Sequence, residues 1–174
     1  MPRSDSAVLP IAHVVLRILI VVNWMGGAAI LALLTATIVA ESWTMTTLGI
    51  TPASGIPAML MGLRSIAALG LIGVPLNDLV LRRLVAIVGT VRRGDPFVAA
   101  NALRLQAIAW TLLALQLLSM AIGAVGKAIS TPQNPVALDA GFSINGWLAV
   151  LLTFILARIF AEGARMRDDL EGTV

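Results

Sequence analysis

Arg92-Arg93-Gly94-Asp95-Pro96-Phe97-Val98-Ala99-Ala100-Asn101-Ala102-Leu103-Arg104 separates two long apolar runs and joins a helix stop to a helix start. Gly94 suits the left-handed position just after a helix, and Arg92 and Arg93 in the preceding turn complement the negative end of the helix dipole. Asp95 then suits an N-cap and Pro96 a first helical turn, where a missing N–H costs nothing. The stretch predicts a sharp, charged corner between two helices.

Outward from that corner the chain is apolar. Of 174 residues, 59% are hydrophobic and 12% charged, with mean hydropathy +0.95, whereas a soluble domain carries about a quarter charged residues. The fold class expected is an all-α integral membrane protein, because an open sheet cannot cross lipid and the long, non-alternating runs do not suit a barrel. A span needs roughly 20 apolar residues. The runs then give one membrane domain over residues 1–174, a four-transmembrane-helix bundle with spans at about 18–40, 57–76, 103–124 and 144–160. A helical tail, 161–174, follows. The first run is too long for a signal-peptide core and reads as a retained span.

Residues 1–17 mix Arg3, Asp5, His13 and Arg17 with apolar positions, as an interfacial lead-in would. Residues 79–93 place Val80, Leu84, Ile87, Val88 and Val91 at helical spacing. They read as a cytoplasmic amphipathic helix between spans two and three, or as a straight continuation of span two; the pattern suits both. In the tail, Arg158 with Glu162 and Arg165 with Asp169 have the spacing of surface ion pairs.

The net charge of +3 does not call for direct nucleic-acid binding, because the basic residues cluster at span ends. Arg3, Arg17, Arg82, Arg83, Arg92, Arg93, Arg104, Arg158, Arg165 and Arg167 fall on one side, Lys127 alone on the other, and Arg64 inside a span. By the positive-inside rule both termini and the corner face the cytoplasm, as in a multi-pass protein of the bacterial inner membrane. Trp43 and Trp147 would then lie near the outer interface.

Candidate chemistry is sparse. Arg64 is costly within a span unless it pairs or snorkels, with Gln116 at similar depth and Glu41 nearby as candidate partners. Asn23, Arg64 and Gln116 form the intramembrane polar set, which reads more naturally as interhelical glue than as a path. His13 is the single histidine and there is no cysteine, so neither a metal site, a disulfide nor a cofactor is expected. No nucleophile–base or paired-carboxylate set falls on one face, and no catalytic residue is expected.

Two segments carry a family resemblance. TVRRGDPFVAANALRLQAIAW, with its Gly, Pro-Phe pair, Asn and Arg-Leu leading into a span, resembles the bacterial and archaeal membrane proteins grouped as domain of unknown function 2975. LARIFAEGARMRDDLEGTV is similar to that family's Phe, Glu-Gly, acidic pair and terminal Thr-Val, except that Gly172 replaces a large apolar residue. The resemblance implies pairing with a small Cro-type helix-turn-helix regulator. It carries candidate partner-binding roles onto Gly94, Asp95, Pro96, Phe97, Asn101, Arg104, Glu162 and Gly163, to which the acidic tail residues Asp168 and Asp169 are added. Phe97, Asn101 and Arg104, spaced by four and three residues, are expected on one side of the third helix as the contact face.

The leading functional expectation is therefore a non-enzymatic membrane protein that sequesters or tunes such a regulator at its cytoplasmic face. Alternatives are a small transporter or channel subunit, which would need homo-oligomers to enclose a pore, and a structural subunit binding membrane lipids.

Overall fold

The computed structural model describes residues 8–40, 47, 56–132, 135, 136 and 138–171. The expected loop partners Glu41 and Trp43, and the terminal Thr173-Val174, lie outside the described residues. Four helices follow one another: α1 (Val8–Val39), α2 (Ile56–Arg92), α3 (Ala99–Ile129) and α4 (Ile144–Glu171). Each contains a stretch long and apolar enough to cross a membrane.

Two sequence expectations change at once. Residues 8–17 are the opening turns of α1, not a separate interfacial lead-in. Residues 79–92 continue α2 without a break, as the straight continuation rather than a separate amphipathic helix. At 37 residues, α2 is ~55 Å long at 1.5 Å per residue, well beyond the ~30 Å hydrocarbon core. Pro75 lies inside it, so the Leu71 carbonyl has no N–H partner four residues on.

The helices pack in chain order: α1 on α2, α2 on α3 and α3 on α4. Among the described residues α1 makes no backbone approach to α4. The expected bundle is thus an open row, and both of its broad faces are left for lipid. Burial of apolar surface cannot hold such a row together, because lipid tails are as apolar as leucine. Close packing and polar contacts do so instead.

Between α1 and α2, Gly27 lies against the Val74 side chain. Asn23 donates Nδ2–H to the Val74 carbonyl at 3.0 Å, and Trp24 donates Nε1–H to Asp78 at 3.1 Å. Arg82 also donates to Asp78, at 2.6 Å. Toward the opposite end, Arg64 donates to the Thr37 carbonyl. Between α2 and α3, Gly62 faces Ile129 and Gly73 faces Leu115 and Leu118. Trp110 and Phe154 pack edge-on between α3 and α4, with ring centroids 5.2 Å apart.

The α3–α4 connection folds back along α3. Leu138 lies on Gly126, Ala140 on Gly123, and Gly141 beside Ser119, whose hydroxyl accepts its N–H at 3.1 Å. α4 therefore starts beside Gln116, which meets Gly146, ~20 Å short of the C-terminal end of α3 at 1.5 Å per residue. Trp147, in the first turn of α4, is half-buried.

Gly123 and Gly26 give a matched test. A Cβ at Gly123 would meet the Ala140 carbonyl oxygen at 2.6 Å and Gly141 Cα at 2.8 Å, whereas one at Gly26 would meet nothing within 4 Å. Gly123→Ala is expected to destabilise by ~1–3 kcal/mol, while Gly26→Ala is neutral or stabilises by up to ~1 kcal/mol. Thermal unfolding in mild detergent measures both; equal shifts would rule out the tight α3–loop contact.

Candidate functional site

The corner is built on a helix stop that the residues dictate. Gly94 adopts φ +82°, a left-handed conformation that costs any L side chain ~1–2 kcal/mol. The Gly94 N–H reaches the Val91 carbonyl at 3.0 Å and the Asp95 N–H reaches the Thr90 carbonyl at 3.1 Å, the paired bonds of a Schellman termination. The expected helix start moves, however. The N-cap of α3 is Val98, extended at φ −93°, ψ 141° and without a side-chain cap, so Asp95 is not a cap and Pro96 is not in a first turn.

Asn101 then closes the corner. It is fully buried, and its Nδ2 donates to Thr90 Oγ1 at 2.6 Å and to the Pro96 carbonyl at 2.8 Å. Its Oδ1 accepts from Arg104 Nη1 at 2.8 Å. Thr90 Oγ1 passes its own proton to the Ile87 carbonyl at 2.7 Å. Both amide hydrogens and the amide oxygen are thereby used, which only a side chain with two donors and an acceptor achieves.

The tail docks on the same corner. Phe97 and Phe160 rings lie 5.2 Å apart at 39°, and Phe97 also covers Gly163, where a Cβ would come within 2.8 Å of the ring. Arg167 forms an ion pair with Asp95. Both partners are over a third exposed, so the pair contributes at most ~1 kcal/mol. Glu162 pairs with Arg165 at 3.9 Å, not with Arg158 as the spacing suggested.

The sequence-derived candidates thus divide. Gly94, Asp95, Pro96, Phe97, Asn101, Arg104 and Gly163 do converge, but mainly on one another. Asn101 faces inward and cannot offer a contact face, and Phe97 precedes α3, so these two and Arg104 do not form one exposed stripe. Phe97 stays 43% exposed, and Glu162 and Asp169 are exposed on the tail; the Asp168 side chain lies outside the described residues. Asn23, Arg64 and Gln116 do not meet: each donates to a different backbone carbonyl, Gln116 to that of Gly141 at 3.4 Å.

Three contributors escaped the sequence reading. Thr90 carries no signal in a run of apolar residues, and Arg167 stood beside the acidic residues that drew attention. Asp78 lies within α2, and although Arg82 is four residues on, its bond from Trp24 joins residues too far apart in the chain for spacing to suggest. Among the described residues there is no cluster of three or more His, Asp or Glu able to hold a metal.

The family described as "Protein of unknown function (DUF2975)" matches residues 50–174, which include the corner, the fold-back connection and the tail. No curated protein and no solved structure matches the chain.

Asn101→Asp tests the corner at nearly constant volume. Its carboxylate cannot donate, so the buried Thr90 hydroxyl and the part-buried Pro96 carbonyl lose their donor, and the change is expected to cost ~2–4 kcal/mol. Thr90→Val should cost ~1 kcal/mol, and the two together less than their sum, because they share one network. Unfolding in detergent measures the cycle, and full additivity would reject the shared bond.

Proposed function

We propose that this chain, which belongs to the DUF2975 family, is a non-enzymatic docking protein that holds a small helix-turn-helix transcriptional regulator against the corner and the α4 tail. The supporting observation is the junction of Phe97 with Phe160 and Gly163 and of Asp95 with Arg167. It joins the two segments that carry the family pattern into one surface. The corner's hydrogen-bonding groups hold chain direction, which suits a platform better than a reaction centre.

Charge decides which face of a regulator fits. Arg92 and Arg93 are exposed at the corner, and a DNA-reading surface is itself basic. The docked face is therefore an acidic or apolar one, with Phe97 and the 58% exposed Met166 as apolar contacts. Capture works by removing the regulator to the membrane and lowering its concentration at the operator, not by mimicking DNA.

Cytoplasmic placement of the corner belongs to the same proposal and rests on the Lys/Arg asymmetry. The chain has no cysteine, so single cysteines report topology cleanly. In intact cells Ser130→Cys should react with a membrane-impermeant maleimide, and Arg93→Cys only after permeabilisation. The reverse pattern would invert the orientation and remove a cytoplasmic partner.

Partner capture has its own test. A small helix-turn-helix regulator co-expressed with this chain should co-purify from detergent-solubilised membranes, should be lost with Arg167→Glu, and should return when Asp95→Arg is added to restore the ion pair. Undiminished recovery with Arg167→Glu would remove the joined surface from the account, and no recovery with the intact protein would sink the partner.

A further inference from the structure

A groove of about 410 Å³ runs between α3 and α4 at the corner end of the row. Small side chains create it: Ala102 on α3 faces Ala157, Ala161 and Ala164 on α4, the latter at the four- and three-residue spacing of one helix face. Phe154 lines the deep end, its ring braced by Trp110. The remaining lining is Ala99, the apolar Leu103 and the polar Gln106, Arg158 and Arg165.

The Trp110–Phe154 contact sets the antiparallel register of the two helices. Counting out from it places Gln106 level with Arg158 and Ala99 level with Arg165. From Phe154 to Arg165 the groove extends ~16 Å along α4 at 1.5 Å per residue, the depth of one leaflet of a ~30 Å hydrocarbon core. It is therefore apolar toward mid-membrane and cationic toward the headgroups. Because the row is open, its lipid side is not covered by α1 or α2.

We propose that this groove binds one anionic phospholipid of the corner-side leaflet. An acyl chain lies along Ala102, Ala157 and Ala161, and the phosphate lies between Arg158 and Arg165. Arg158 has no carboxylate partner among the described residues. The Arg165–Glu162 pair is 3.9 Å long and open to solvent, so the guanidinium retains donors for a phosphate. The first turn of α3, level with Arg165, has no side-chain cap, and its N–H groups and dipole add to the positive potential there.

Charge complementarity singles out this groove. The cleft between α1, α2 and α3 is lined by Asn23, Asn77 and Ser119, and its one charged group, Asp139, would repel a phosphate. The proposal is independent of regulator capture, since it concerns the membrane-facing side of α4 and needs no protein partner.

Native mass spectrometry of the detergent-solubilised full chain, titrated with phosphatidylglycerol or with phosphatidylcholine, tests it. The first phosphatidylglycerol should bind ~30-fold more tightly than phosphatidylcholine, as two headgroup-facing arginines at ~1 kcal/mol each provide. Arg158→Gln with Arg165→Gln should abolish that preference, while Arg17→Gln with Arg83→Gln, which removes the same charge elsewhere, should keep it. Ala161→Leu should fill the groove and weaken the first site for both lipids. Glycerol 3-phosphate, which has the headgroup chemistry without chains, should not displace the bound lipid.

An absent preference overturns the proposal, as does one that survives Arg158→Gln with Arg165→Gln or is lost equally in the control pair. Displacement by glycerol 3-phosphate would make the site a phosphate site, and a lipid-free dimer abolished by Ala161→Leu would make the groove an interface between copies. Either result replaces the lipid assignment.

Discussion

The amide of Asn101 is the contact on which the rest of the row depends. It ties the last turn of α2, through Thr90, to the Pro96 carbonyl in the link and to Arg104 on α3. A buried amide that loses its partners costs ~1–3 kcal/mol for each group left unsatisfied. The tail's ion pair to Asp95 is exposed and contributes ~0–1 kcal/mol. The corner is therefore set by its interior, and the surface latch on α4 rests upon a geometry that exists without it.

Elsewhere polar side chains serve the same end by a different route. In hydrocarbon a polar group without a partner costs several kcal/mol, and here Asn23, Arg64 and Gln116 meet that demand by donating to backbone carbonyls on neighbouring segments. A backbone carbonyl has a second lone pair to offer, so the contacts to Val74 and Thr37 join two helices without weakening the one that accepts, and the contact to Gly141 joins α3 to the connection. Glycines at Gly27, Gly62 and Gly73 let the helices approach closely enough for such reach. A row so joined needs no closed interior, which is consistent with α1 making no backbone approach to α4.

The sequence carried the helix count, the class and the stop at Gly94, because apolar run length and a left-handed glycine are local properties. It placed the start of α3 too early. Asp95 has the right chemistry for a cap, but the Schellman bond from its own N–H to Thr90 holds it in the preceding turn, and Arg167 takes its carboxylate. The depth of α4 was hidden for a related reason. Pro132, Pro135 and Asp139 read as an outer loop, yet Gly123 and Gly126 leave a furrow on α3 into which residues 138–141 fold. That contact depends on which face of α3 turns toward the loop, and the hydropathy of a uniformly apolar helix does not encode it. The inward turn of Asn101 was invisible likewise: four- and three-residue spacing identifies a shared helix side only within a helix, and Phe97 lies outside α3.

α4 brings these threads to one place. Successive residues on a helix turn by about 100°, so Arg165 and Arg167 project roughly 200° apart, one lining the α3–α4 groove and the other reaching Asp95. Phe160 and Gly163, three residues apart on α4, both pack against Phe97. The last three turns of α4 thus touch the membrane-facing groove on one side and the corner on the other. Their attachment is an aromatic pair of ~0.5–1.5 kcal/mol and one exposed ion pair, against a network centred on the fully buried Asn101 amide. Any ligand that prefers the docked position of these turns stabilises it by its differential affinity alone, and a few kcal/mol suffices at this end of the molecule, whereas the corner beneath would resist the same bias.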